Sequence, residues 1–336
     1  MKRVFAATIL VCLPLSINGI AVNAETEKGY YTSKRGDDVT ADWKDKTVII
    51  KSGLEAEMKL HYKASVFGDV AAHDGSAASD VSSLMTAGMD ITLEKPKDAE
   101  EFTAKLQYTR IDIDSMLNGK RWGLSVSDKD GAENQLWLDG KKRSDKADGL
   151  PSPGSLASNL KKPAAFAEIG PDNMATRLSH GATLSASSSV DLPQRLIDPT
   201  IFMRLAFPGI AKVECKTGGT VNRNARLSLG TASAEGVDCA LSLTLTNVYG
   251  TKDEAHCALF DVVATPSNKQ VTLNNGLSVA VPAMRGVMLV DAKKGVVVSV
   301  TLEADYAGSG LGGTQLSGNV KMTLDLVDPE KDGKSK

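Results

Sequence analysis

The most suggestive pattern for chemistry in this sequence is a run of glycines. Gly308-Ser309-Gly310-Leu311-Gly312-Gly313 has the spacing of a dinucleotide-binding loop. Such a loop holds phosphate where a strand precedes it and a helix follows it. Here an alternating, strand-like pattern follows instead. We therefore interpret the run as a glycine-rich turn.

A second pattern has the residue types of nucleophilic catalysis. Ser158 and Lys161, followed by Lys216-Thr217-Gly218, have the serine and lysine spacing of penicillin-recognising enzymes. Those enzymes also carry a Ser-Asp-Asn motif between the two, and this chain has none there. None of the four histidines lies in His-Glu-x-x-His or beside a Gly-x-Ser-x-Gly elbow. We therefore expect no catalytic residue, no cofactor and no enzymatic activity.

Three cysteines lie beyond the first 24 residues, namely Cys215, Cys239 and Cys257. An exported protein can form disulfides, and three cysteines leave one over. If a bond forms, we favour Cys215 with Cys239, and three unpaired thiols are an equal alternative. A zinc site made from these cysteines and His256 would favour close Cys-x-x-Cys pairs, which are missing. We therefore expect no metal site.

The first 24 residues have the pattern of a secretory signal peptide. A basic start precedes an apolar run, residues 4–15, that is too short for a permanent membrane span. Val22 and Ala24 supply the small side chains that predict cleavage before Glu25. We expect a periplasmic or secreted protein with no transmembrane segment in the mature chain. The formal net charge of −2 gives no electrostatic reason to bind nucleic acid.

Alternation of apolar and polar residues dominates the remaining chain and predicts β-strands. It is unbroken from Leu54 to Val66, a span of about 43 Å at ~3.3 Å per residue. The apolar phase flips after Tyr108, which is typical of a β-bulge. We predict a mainly β fold of long antiparallel strands in two lobes, as a curved open sheet or half-barrel with one buried short helix. Two β-sandwiches are the alternative.

One helix is predicted near residues 199–207. Asp198 is a good N-cap and Pro208-Gly209 would end the helix. Because the segment is apolar on nearly every side, we expect it to be buried against the sheet. Phe202 and Phe207, together with Val298 of a later strand, would then line an apolar cleft.

Two hairpins are predicted in the last third of the chain. The first has a turn near Gly250 and would place Cys257 opposite a residue near Val248, which disfavours a Cys239–Cys257 disulfide. The second turns at Asp291–Gly295.

The predicted organisation has six parts. They are the signal peptide (1–24), a polar N-terminal segment (25–45), a first β lobe (46–138), a linker or long loop (139–169), a second β lobe containing the helix (170–327) and a charged tail (328–336).

This layout resembles an uncharacterised family of secreted bacterial β-rich proteins, known as a domain of unknown function. The resemblance covers roughly two thirds of the mature chain and rests on these segments: Met89–Glu94, Phe102–Ser115, Leu205–Gly209, Val213–Thr220, Leu241–Ala264 and Asp291–Gly295. The family tends to carry a Gly-Asp-x-Trp turn where this chain has Gly218-Gly219-Thr220. The resemblance implies a β-rich exported protein, and it implies no activity or catalytic residues.

Two classes of function compete. The first is a binding protein that holds an apolar small molecule or partner surface in a β cleft. The second is a structural or assembly factor of the cell envelope that meets another envelope protein through exposed edges. A hydrolase ranks third. An open cavity at the predicted cleft would favour binding, and a filled core there would favour assembly.

Overall fold

The computed structural model describes residues 35–327 of the chain apart from several internal segments. Those segments are 75–76, 98, 118–119, 130–133, 139–140, 144–152, 182–198, 228–236, 269, 273–277, 281–282 and 310–314. The predicted signal peptide, the N-cap Asp198 and the charged tail 328–336 therefore lie outside the described residues.

One large, open antiparallel sheet contains seventeen of the strands. Its central strands lie in the spatial order β13, β14, β17, β18, β19, β3, β4 and β5. Their bounds are β3 Lys59–Asp74, β4 Ala77–Glu94, β5 Phe102–Leu117, β13 Val237–Gly250, β14 Ala255–Pro266, β17 Met284–Asp291, β18 Val297–Ser309 and β19 Gln315–Leu326.

Shorter strands extend the margins of this sheet. β5 pairs with β9 along its first half and with β6 along its second, and β13 pairs with both β12 and β1. The bounds of these strands are β1 Asp37–Asp38, β6 Lys120–Ser127, β7 Gln135–Leu138, β8 Lys141–Arg143, β9 Ala165–Ile169, β10 Ala175–His180, β12 Thr220–Leu227, β15 Gln270–Thr272 and β16 Ser278–Ala280. Strands β2 (Thr47–Ile49) and β11 (Glu214–Lys216) pair separately.

Helices are few among the described residues. They are a 3-10 helix at Thr40–Trp43, α1 at Pro153–Leu160 and α2 at Pro199–Ala206. Helix α2 is confirmed where the sequence predicts it, and all its residues except Arg204 are buried.

The contacts of α2 require the sheet to be curved. The helix touches β9 and β10 beside one margin, β12 beside the other, and β18 and β19 in the centre. Eight residues of helix span about 12 Å at ~1.5 Å per residue. Strands β9 and β12 are nine strand spacings apart along the sheet, or about 43 Å if the sheet were flat. A helix this short reaches both margins only because the sheet wraps around it. The predicted curved open sheet is therefore confirmed.

The strands of the two predicted lobes belong to one sheet. β3, from the first lobe, pairs with β19 at the other end of the chain, in a register that sets Tyr62 against Leu326. The buried apolar residues form one continuous core cluster. The alternative of two β-sandwiches is therefore not what forms.

Of two local predictions, the β-bulge is confirmed and the starting point of the first long strand is wrong. The phase flip after Tyr108 is confirmed, because the β4–β5 register shifts between Gly88 and Met89. The strand predicted from Leu54 begins only at Lys59, since Glu57 has a φ of 63° and its N–H donates to the Leu93 carbonyl. A left-handed residue cannot continue a strand.

The predicted linker at 139–169 contains regular structure. α1 packs on β5 and β6, and β9 pairs with both β5 and β10. The segment Ala165–Ile169 alternates in burial, so a five-residue strand lies in a region whose proline and glycine content predicts a loop.

Candidate functional site

The concave face of the sheet, which we call the trough, is lined by continuous rows of apolar side chains. One row of directly paired residues crosses nine strands: Leu245, Phe260, Met288, Val300, Leu324, Ala64, Ala87, Ile111 and Val126. Each is at most 2% exposed. The next row is Val221, Leu243, Val262, Gly286, Leu302, Met322, Val66, Met85, Ile113, Leu124 and Leu136. Neither row contains a charged residue.

A pair of serines interrupts the apolar wall in the third row. Here Ala304 pairs with Val320, Val320 with Gly68, Gly68 with Ser83, and Ser83 with Ser115. The Ser83 and Ser115 hydroxyl oxygens lie 2.6 Å apart, and the residues are 9% and 3% exposed. Two hydroxyls therefore lie side by side in apolar surroundings.

At the end of the trough beside the Asp291–Gly295 turn, which we call the closed end, Asn173 joins three segments of the chain by hydrogen bonds. Its Nδ2 donates to the carbonyls of Lys294 (3.0 Å) and Gly295 (2.9 Å), and its Oδ1 accepts from the Ser52 hydroxyl at 2.8 Å. Asn173 is fully buried and has a φ of 60°. Gly295, at a φ of 66°, leaves room for this side chain, because a Cβ there would lie 2.7 Å from Asn173 Nδ2.

The residues of the predicted apolar cleft lie inside the core. Phe202, Phe207 and Val298 are 1%, 1% and 4% exposed. Side chains that line an open cavity keep accessible surface, so these three do not border an open cleft. An apolar ligand would have to bind elsewhere along the trough.

The convex face is polar, as the alternation predicts. Its hydroxyls and charges bind their strand neighbours: the Ser65 and Thr323 hydroxyls lie 2.7 Å apart, and Arg121 makes two hydrogen bonds to Asp114. His61 Nδ1 lies 2.7 Å from Asp90 Oδ1. Within the described residues, His61 has no other side-chain hydrogen-bond partner, so this pair is not connected to a nucleophile.

Neither a shifted carboxyl pKa nor a cluster of metal ligands defines a reactive site in the described part of the chain. Burial and then repulsion from Asp90 raise the pKa of the Asp128 carboxyl. In the described part of the chain, no three His, Cys, Asp or Glu side chains converge as a metal site would require. The cysteines considered for zinc lie on different strands.

The favoured Cys215–Cys239 disulfide does not form in the structure. Cys215 Sγ lies 3.2 Å from the Gly219 carbonyl, which accepts a hydrogen bond from the Leu245 N–H. Cys239 is six residues from Leu245 along β13, or about 20 Å. A disulfide needs Cα atoms within about 7 Å. The expected register of the first hairpin is correct to within one residue, since Cys257 pairs with Tyr249.

We predict that peptide mapping without reduction will find no linked cysteine peptides. All three side chains are buried. Burial, with a smaller contribution from the Asp291 charge, raises the pKa of the Cys257 thiol to about 12. Because the thiolate is the reactive form, Cys257 should resist a thiol reagent at pH 8 in the native protein and react once it is unfolded in urea. Rapid native labelling of Cys257 would contradict its placement.

Sequence reasoning missed Ser83, Ser115 and Asn173. A signal existed for the serines, because Ser83 shares the apolar phase of Met85 and Met89, and Ser115 that of Ile113. A polar residue in the apolar phase of a strand is expected to be buried, so its polar atoms need a hydrogen-bond partner. Asn173 lies in a turn, where the sequence carries no comparable signal.

Comparisons with known proteins do not assign this chain to a family. No family model and no curated protein matches this chain. The crystal structure of a DUF1329 family protein from Desulfovibrio piger aligns over 81% of this chain and 87% of its own, with 10% sequence identity and a TM-score of 0.16. That weak neighbour belongs to a family of unknown function. No helix among the described residues has the length and apolar character to cross a membrane.

Proposed function

We propose that this protein is an exported binding protein that holds an apolar molecule in its trough. The observation that carries the proposal is the apolar wall: two adjacent rows of paired side chains cross nine and eleven strands without a charge. Ligand pockets are mostly apolar, with few polar groups to orient the ligand. The signal-peptide pattern of residues 1–24 supports a periplasmic or secreted location.

We infer that the ligand lies along the wall beyond α2 rather than at Phe202, Phe207 and Val298. Those three side chains are already enclosed. Strand β4 spans about 59 Å at ~3.3 Å per residue, whereas α2 spans about 12 Å. Much of the concave wall therefore lies beyond the reach of this helix. Among the apolar side chains there, exposure is greatest at Val66, which is half-buried, and at Ala304 and Val320, which are each 8% exposed.

We predict that Val66→Phe will weaken binding of the fluorescent apolar probe N-phenylnaphthylamine about tenfold, because the larger ring fills the trough. Val66 is half-buried on the wall between Met322 and Met85. The matched control is Ser65→Phe, one residue along on the convex face and also half-buried. Fluorescence titration measures both variants. Equal affinities for the two variants would contradict a ligand site on the concave face.

Native mass spectrometry of protein purified from its own host tests the proposal directly. A co-purifying lipid is the expected result. A protein partner with no lipid would instead support the second candidate, an envelope assembly factor. The observation that favours this candidate is the enclosed state of Phe202, Phe207 and Val298, which gives a filled core at the predicted cleft.

A further inference from the structure

Strand β12 has a long backbone edge on the side away from β13. The strand pairs with β13 through all eight of its residues without a register shift. In the described part of the chain, no strand pairs with β12 on its other side. Eight residues present about 26 Å of backbone along that edge. An uncovered strand edge of this length is a template for pairing with another chain.

Two hydrogen bonds identify the backbone groups that face outward from this edge. The Gly219 carbonyl accepts from the Leu245 N–H of β13. Because an antiparallel pair alternates, the backbone groups of Asn222 and Asn224 then point away from β13. The Arg223 side chain agrees with this assignment, since its Nη1 donates to the Asn222 carbonyl at 3.2 Å. Both asparagines are also exposed.

Other strands at the margins of the sheet are protected against added strands. β10 shifts register between Thr176 and Ser179, and its Ala175 N–H donates to the Phe207 carbonyl. β8 has only three residues, all of them basic. Bulges, short length and charge are devices by which proteins prevent edge pairing. β12 is longer, has no bulge and contains no proline, so its backbone is suited to accept a strand.

Arg223 gives the open edge a positive charge. β12 contains two arginines and no acidic residue. The register places Arg226 opposite Asp238 but Arg223 opposite Leu241, which is 2% exposed. Among the side chains that the structure describes, no carboxylate pairs with Arg223, whose guanidinium donates to the Asn222 carbonyl of its own strand. An added strand would occupy that carbonyl with its own N–H and release the guanidinium for a carboxylate.

We propose that the edge of β12 binds an extended acidic segment of a partner protein as an added strand, with a carboxylate of that segment paired to Arg223. The backbone groups of Asn222 and Asn224 supply hydrogen bonds that any extended segment can make, and Arg223 supplies the preference for an acidic one. A second copy of this chain fits less well, because two β12 strands side by side bring together arginines and no acidic residue. The inference goes beyond the proposed apolar ligand and does not depend on it.

The test begins with random nine-residue peptides displayed on phage, selected for binding to the whole protein. We expect the enriched peptides to alternate apolar and polar residues and to contain aspartate or glutamate. Fluorescence anisotropy then measures the affinity of each enriched peptide. Replacing its acidic residues by their amides should weaken binding about tenfold, the effect of one hydrogen bond to a charged group.

Variants of the protein locate the peptide on β12. Asn224→Pro removes an outward N–H and places a ring on the edge while the pairing with β13 remains, so it should weaken binding about tenfold. Asn224→Ala keeps the N–H and isolates the contribution of the side chain, which should be small. Arg223→Glu should reverse the preference, from acidic peptides to the same peptides with lysine in place of the acidic residues. The matched control is Arg177→Glu, which reverses the charge of an exposed arginine on β10 and should leave the preference unchanged.

Each outcome bears on the proposal. Enriched peptides without acidic residues, or a preference unchanged by Arg223→Glu, overturn the acidic partner. Failure to enrich any peptide, or full affinity in a folded Asn224→Pro variant, overturns the edge site. If Asn224→Pro does not fold by circular dichroism, Arg223→Glu alone decides. A dimer of the natural protein that Arg223→Glu alters would make a second copy the occupant and overturn the partner protein. Binding of N-phenylnaphthylamine should be the same in all these variants, so the edge site and the apolar site can fail separately.

Discussion

Replacing Asn173 with alanine should lower the free energy of unfolding by about 4 kcal/mol. The substitution leaves the carbonyls of Lys294 and Gly295 and the Ser52 hydroxyl without their buried partner, at roughly 1–3 kcal/mol for each unsatisfied group that stays dry. Alanine also tolerates the φ of 60° less well than asparagine, which costs about 1 kcal/mol more. Urea unfolding followed by circular dichroism measures the loss.

Two further variants separate the causes. Asn173→Gly removes the same hydrogen bonds but accepts the positive φ, so it should be less destabilising than alanine. Ser52→Ala removes only the bond to Oδ1 and should cost about 1 kcal/mol. A change below about 1 kcal/mol for Asn173→Ala would mean that this residue does not hold the closed end together.

Replacing Phe260 with alanine should destabilise the protein by a similar amount, about 4 kcal/mol, through a different mechanism. Phe260 has no exposed surface and lies between Leu245 and Met288 in the first row of the trough. Removing the ring loses its burial and leaves a cavity, because neighbouring strands fixed by hydrogen bonds cannot close on it. Chemical denaturation at a fixed temperature gives the difference in unfolding free energy.

The control for Phe260 is Val287→Ala. Val287 pairs with Thr301 on the convex face and is 43% exposed. We expect a change within about 0.5 kcal/mol, as for most surface substitutions. Similar losses at the two positions would show that the assignment of concave and convex faces is incorrect.

The faces of the strands could be predicted from the sequence because the side-chain period of a strand is local. Successive residues point to opposite sides, so alternation alone identifies Leu241, Leu243 and Leu245 as buried. The flip after Tyr108 and the turn at Asp291–Gly295 are local for the same reason, and both occur in the structure. Helix α2 was also predictable, since the residues that begin it, end it and form its apolar surface lie within twelve positions, Asp198 to Gly209.

Alternation does not say which strand lies beside which, because every apolar face can pack against every other. The β3–β19 pair joins residues about 260 positions apart and makes one sheet from two predicted lobes. The β9–β5 pair recruits a strand from a predicted linker. These choices depend on burying all the apolar faces at once, which is a property of the whole chain.

The sequence by itself therefore determined a mainly β protein with one buried helix and an apolar face. The tertiary structure decided the site. Ser83 and Ser115 are thirty-two positions apart, and only the β4–β5 register brings their hydroxyls within 2.6 Å. Asn173 reaches Lys294 and Gly295 across more than one hundred and twenty positions. A hydrogen bond between distant residues requires both backbones to be positioned to within tenths of an ångström, and only the assembled sheet supplies that precision.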